Sequence, residues 1–242
     1  MTTILLPRIL TLVISYFLGC FLTAEVVCRK LTGKPAKYLG TTGNPGMANV
    51  MAHLGFKPGI TVLIGDITKT LLAVLITATL FYGDSRDQAF YHFWGTNVNH
   101  ALGLHTADYG IGIVVVYYAI IGVTIGHNYP FWQKFHGGKG VATSCAGYFL
   151  MMPLGGLLSM ITGMLIVFKS QYLGLGAAFI PVVYCIFAFF FHGLEAGILA
   201  IVLACLMFIK HWPSVRQIPS GQAERVDVLG AIQKKWFSKK YV

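Results

Sequence analysis

The sequence predicts an all-α, polytopic membrane protein of about seven transmembrane helices, and three observations support this. Of its 242 residues, 56% are hydrophobic and only 11% charged, with a mean hydropathy of +0.69; an average soluble domain carries ~25% charged residues. Apolar runs long enough to approach a membrane crossing recur along the whole chain. Lys and Arg collect in alternate connections between those runs. The apolar content excludes disorder. Five cysteines with no CxxC (Cys20, Cys28, Cys145, Cys185 and Cys205) read as small buried hydrophobes rather than as a disulfide framework or a redox pair.

The runs fall at about 4–27, 59–82, 109–126, 140–152, 154–168, 175–192 and 194–209. The first, Ile4 to Val27, has no small-residue cleavage site after a short apolar core, so it reads as a span rather than a removable signal peptide. The middle runs are short and glycine-rich. Either they span thinly, or Pro153 and the pair Gly193/Leu194 mark tight turns between packed helices. The stretch 88–104 mixes aromatics with Asn and His and fits an interfacial segment. His92, His100, His105 and Asp108 match no metal-ligand spacing, so neither a metal nor a cofactor is expected.

Charge sets the orientation. The formal net charge is +10, and in such a chain basic residues report topology before any nucleic-acid partner, so none is expected. Loop 29–58 holds Arg29, Lys30, Lys34, Lys37 and Lys57, loop 127–139 holds Lys134 and Lys139, and Lys169 follows the fifth run. The tail adds Lys210, Arg216, Arg225, Lys234, Lys235, Lys239 and Lys240. Arg8 and Arg86 fall on the other side, where loop 83–108 collects Asp84, Asp87 and Asp108. The asymmetry predicts the N-terminus outside, the C-terminus in the cytoplasm, and a multi-pass protein of the cell membrane. The reading is one integral domain over 1–242 with a basic cytoplasmic tail at 211–242. Loops 34–58, 126–140 and 210–227 then share the cytoplasmic face.

Those three loops carry the chemistry. Gly40-Thr-Thr-Gly-Asn-Pro-Gly-Met-Ala-Asn49 offers the materials of a backbone N–H nest, although such a loop is by itself an ordinary turn. In Gly126-His-Asn-Tyr-Pro-Phe-Trp-Gln-Lys-Phe-His-Gly-Gly-Lys-Gly-Val-Ala-Thr143, three glycines leave the backbone bare around Lys139 and an apolar helix starts at once. Free N–H groups, a positive dipole end and a full charge make a phosphate site there. The spacing is not that of a Walker loop. The third loop places His211 where the last span leaves the membrane. Asp66 and Lys69, one helical turn apart in the second span, suit neutralising each other inside the bilayer.

Gly-Asn-Pro-Gly-x-x-Asn-Val at 43–50, Gly-His-x-x-Pro-x-x-x-x-Phe-x-Gly-Gly-Lys-Gly-Val-Ala-Thr at 126–143, and His211 followed by Gly221-x-x-Glu224 resemble the bacterial acyl-phosphate:glycerol-3-phosphate acyltransferase family (the PlsY family) over nearly the whole chain. The resemblance implies transfer of a fatty acyl chain from acyl-phosphate to glycerol 3-phosphate, giving lysophosphatidic acid for phospholipid synthesis at the bilayer surface. It implies Lys139, His211 and Thr42 at the reacting groups. It places Gly43, Asn44, Gly46, Asn49, His127, Gly137, Gly138, Gly140, Thr143, Ser214, Gly221 and Glu224 around the substrates and their phosphates. No His-x4-Asp occurs, so the dyad of acyl-CoA-dependent glycerophosphate acyltransferases is missing.

The chain departs from the family pattern on the acceptor side. The family's Ser before Gly43 is Thr42, which keeps the hydroxyl. Its Arg becomes Ala52 beside His53, a Ser becomes Gly174, an Asn becomes Ser214, and a second Arg becomes Gln217 beside Arg216. A bidentate Arg contact has no equivalent in Ala. Two further readings stay open beside the family reaction: a paralogue acylating another small acceptor, and a non-catalytic lipid- or anion-binding membrane subunit.

Overall fold

Continuous apolar stretches become helices because a backbone in hydrocarbon must satisfy its own hydrogen bonds. The computed structural model describes residues 2–40, 43–81, 111–223 and 225–226. In chain order the helices are α1 (Thr2–Gly19), α2 (Thr23–Thr32), α3 (Met47–Leu54), α4 (Phe56–Phe81), α5 (Val114–Asn128), α6 (Val141–Met151), α7 (Pro153–Ser170) and α8 (Leu173–Val215), with single 3₁₀ turns at Ala36–Tyr38 and Phe131–Gln133. Loop 83–108, including the interfacial stretch 88–104 and its histidines, lies outside the described residues.

α5 is the axis of the molecule. It is apolar all round, and almost every residue from Val114 to Thr124 is buried, as befits a helix with no polar face. α1, α4, α6 and α8 pack on it. Its Val115, Val116, Tyr117 and Ile120 share a core with Tyr148, Tyr184, Ala188 and Leu203. The outer helices expose apolar stripes instead: Leu5, Ile9, Val13 and Phe17 on α1, and Leu154, Leu158, Ile161 and Leu165 on α7. Large hydrophobics facing outward at helical spacing are what a lipid surround requires.

The first run differs from the expectation. The candidate span Leu5–Thr32 is built of two helices rather than one, broken at Cys20-Phe21-Leu22. The break is tolerated because donors reach its carbonyls: Lys69 Nζ donates to Phe21 O at 2.9 Å, and Trp132 Nε1 to Cys20 O at 2.8 Å. Beyond it, α2 buries Ala24, Glu25 and Cys28 and exposes Arg29 and Lys30.

Pro153 and Gly193 do mark tight turns. α7 opens on Pro153 directly after Met152, which leaves the helical region (φ −149°, ψ 93°). Gly193 (φ 83°, ψ −173°) reverses α8 in a conformation that glycine adopts without a Cβ penalty. The arms 173–192 and 194–215 run antiparallel: a Cβ on Gly174 would sit 3.3 Å from that of Ser214, while Gly197 packs against Phe189.

The bundle has two distinct ends. At one, Arg8 grips Glu195 with two bonds of 2.8 Å and Tyr118 donates to Glu195 at 3.1 Å, pinning α1 and α5 to the turn of α8. The other end gathers the α2–α3 connection, the 129–140 loop, and the residues after α8, where Val226 N donates to Gln171 O at 2.8 Å. The three loops singled out in the sequence therefore lie at one end.

Candidate active site

The site is built on the C-terminus of α5, whose last carbonyls need donors. Residues 129–136 loop out and return, so that Gly138 N donates to His127 O at 2.9 Å and Gly137 N to Asn128 O at 3.1 Å. Only glycine permits this approach: a Cβ on residue 138 would fall on the His127 ring, and one on residue 137 on the His127 carbonyl. Gly140 then starts α6, with Thr143 Oγ1 donating back to Gly140 O at 2.9 Å.

This corrects one expectation. The N–H groups of Gly137 and Gly138 are not open to an anion, because α5 already uses them. The donors left are those of residues 141–143, which lack intrahelical acceptors at the start of α6, where the dipole is positive.

Lys139 stands beside that helix start, half-buried, and donates to Ser214 Oγ at 3.1 Å. The second and third loops therefore meet. From the same end of α8, Lys210 donates to Asn128 O at 2.9 Å and lies 4.4 Å from the Tyr129 ring centroid. His211 is buried at 3% exposure, and neither ring nitrogen has a hydrogen-bond partner. Gly174, one of the altered family positions, lies next to both His211 and Ser214. Two cations, a helix start, a hydroxyl and an unpartnered imidazole thus converge, a set suited to phosphate and to a hydroxyl that must lose its proton.

The remaining expected residues divide by what they touch. Asn49 donates to Leu39 O and to Asn44 O, both at 3.0 Å, so it shapes the Gly43–Gly46 turn that leads into α3. Ala52 and His53 are exposed, and His53 Nδ1 lies 3.0 Å from Asn49 O. Gly221 is exposed, in a turn closed by its N–H on Ile218 O at 3.1 Å. Thr42 and Glu224 lie outside the described residues. His127 is buried, with Nδ1 2.7 Å from Lys69 Nζ, so it faces the interior behind the loop.

Sequence reasoning passed over Lys210 and Asn128. Lys210 counted only as a topological charge. Asn128 is a variable position of its motif, yet its fully buried side-chain amide has no partner of its own.

Fold and site together define an integral membrane protein with two lysines, a buried histidine and a helix start gathered at one end of a helical bundle. The family model described as glycerol-3-phosphate acyltransferase matches residues 9–221, a stretch that takes in the first two loops and the third as far as Gly221, and the chain belongs to that family. Glycerol-3-phosphate acyltransferase 1 of Lactobacillus johnsonii is 32% identical over 231 residues, covering 95% of this chain and 98% of that one. The glycerol-3-phosphate acyltransferase of Cupriavidus metallidurans is 30% identical, covering 90% and 96%. Among solved structures, PlsY (YgiH), an integral membrane glycerol 3-phosphate acyltransferase, matches in its glycerol 3-phosphate form with a TM-score of 0.72 at 25% identity, covering 93% of this chain and 98% of that one.

Proposed function

We propose that the chain transfers a fatty acyl group from acyl-phosphate to the 1-hydroxyl of glycerol 3-phosphate, releasing lysophosphatidic acid and inorganic phosphate. The observation that carries this reading is the meeting of Lys139 with Ser214 next to the unpartnered His211. Family membership and the lysophosphatidic acid form recorded for PlsY support the acceptor and product.

An acyl-phosphate is a mixed anhydride, so its leaving group is already activated and positioning supplies most of the remaining catalysis. The hydroxyl oxygen attacks the acyl carbon, the ester C–O bond forms, and the bond from that carbon to the phosphate oxygen breaks. The electron pair and, finally, the hydroxyl proton leave with inorganic phosphate. Lys139 and the N–H groups at the start of α6 hold the donor phosphate as its charge grows. His211 accepts a hydrogen bond from the attacking hydroxyl, and Ser214 Oγ holds the Lys139 ammonium beside it. The loop that carries Thr42, Gly43, Asn44 and Gly46 and the tail that carries Gly221 and Glu224 supply the remaining contacts to the substrates. His127, Asn49 and Thr143 hold the loops, and Gly137, Gly138 and Gly140 let them close. The charge asymmetry of the loops supports a cytoplasmic site at the surface of the cell membrane.

Purified protein supplied with glycerol 3-phosphate and either acyl-phosphate or an acyl thioester tests the donor. Lysophosphatidic acid, read by mass spectrometry, should form from acyl-phosphate alone; equal use of the thioester would refute the donor assignment.

A further inference from the structure

We propose that Asp66 and Lys69 are a positioning pair that holds His127 as the Nε2–H tautomer and, through it, keeps the Gly137–Lys139 loop in register. The effect on transfer rests on the reaction proposed above; the tautomer does not. Asp66 and Lys69 are buried in α4 at 2% and 4% exposure. Lys69 Nζ lies 2.9 Å from Phe21 O and 2.7 Å from His127 Nδ1 and forms an ion pair with Asp66 Oδ1 at 2.8 Å, while Asp66 Oδ1 stands farther, 3.5 Å, from His127 Nδ1. An ammonium has three protons and no acceptor, so Nδ1 must accept and the imidazole proton sits on Nε2.

The alternatives fit worse. A neutral Lys69 amine accepting from an Nδ1–H would leave Asp66 either uncompensated or paired with an imidazolium at 3.5 Å in place of an ammonium at 2.8 Å. A protonated His127 would place a second cation 2.7 Å from the Lys69 ammonium.

A pair that served only to neutralise itself in the bilayer would need no third partner. Here Lys69 ties together the α1–α2 break, α4 and the end of α5. The consequence reaches the loop, because the Nε2 edge of the ring occupies the space a Cβ on Gly138 would take, while the His127 carbonyl receives the Gly138 N–H. Ring and carbonyl of one residue bracket Gly138, and Lys139 is its neighbour. A rotated or re-protonated ring therefore displaces Lys139 from Ser214.

Two measurements on the full-length protein in detergent test this. With ¹⁵N-labelled histidine, the His127 resonance is assigned among the eight histidines by its loss in His127→Gln. It should show a protonated Nε2 and a bare Nδ1; a protonated Nδ1 overturns the proposal. The double variant Asp66→Asn/Lys69→Met removes both charges together at similar volume. It should stay helical, mix its His127 tautomers, and lose at least ~10-fold in kcat/KM for acyl-phosphate, about 1.4 kcal/mol. A folded double variant with wild-type kcat/KM overturns the proposal, and if that variant does not fold, the tautomer of the parent protein decides. A parent protein that makes no lysophosphatidic acid refutes the reaction instead, leaving the tautomer measurement to stand or fall alone.

Discussion

Replacing Lys139 by Ala should weaken donor binding about 10- to 150-fold. The side chain is half-buried between two buried glycines, and its ammonium reaches Ser214 Oγ at 3.1 Å. A phosphate bound at the start of α6 would exchange that neutral partner for a charge-assisted one. Hydrogen bonds to charged groups contribute about 1.5–3 kcal/mol, and each ~1.4 kcal/mol is tenfold in affinity. Lys139→Arg should recover little, because a planar guanidinium needs width that Gly138 and Gly140, closed against His127 and Asn128, do not leave. The assay is calorimetric titration of purified protein with a non-transferable acyl phosphonate, alongside melting curves showing that the variant is folded. Unchanged affinity in folded Lys139→Ala would refute the phosphate assignment.

Arg8→Met should act on stability alone. It removes a two-bond contact with Glu195 whose side chains are 18% and 42% exposed, costing about 0.5–1 kcal/mol and lowering the melting temperature by about 1–4 °C; a change in KM without a change in melting would contradict this. Ala52→Arg with Ser214→Asn, which restores the family residues, should lower the KM for glycerol 3-phosphate by about tenfold, one charged hydrogen bond's worth. An unchanged or raised KM would show those positions to be misaligned. Single cysteines at Gly46 and Gly221 in a cysteine-free background should label from the cytoplasmic side and one at Leu194 from the opposite side; labelling of all three from one side would break the topology.

Hydropathy made most of the fold legible, because a helix in lipid needs little beyond length and apolar composition. The turn at Gly193 was visible for the same reason, since glycine interrupts an otherwise unbroken run. The break at Cys20-Phe21-Leu22 was not, because those three residues are apolar and the donors that stabilise it, Lys69 and Trp132, lie 48 and 112 residues away. The glycine loop stood out in the sequence by its three glycines around Lys139. Its internal wiring was hidden, since nothing in the spacing says that α5 consumes two of its N–H groups. Lys69 with His127, and Arg8 with Glu195, are likewise partners 58 and 187 residues apart in the chain.

The central claim is that this chain joins an acyl group from acyl-phosphate to glycerol 3-phosphate. The most direct test follows both products in time with purified protein in lipid nanodiscs. Lysophosphatidic acid and inorganic phosphate should appear in equal amounts, only when both substrates are present, and at a rate cut at least ~10-fold in Lys139→Ala at sub-saturating donor. Phosphate release without lysophosphatidic acid, or acylation of another acceptor in preference to glycerol 3-phosphate, would contradict the account.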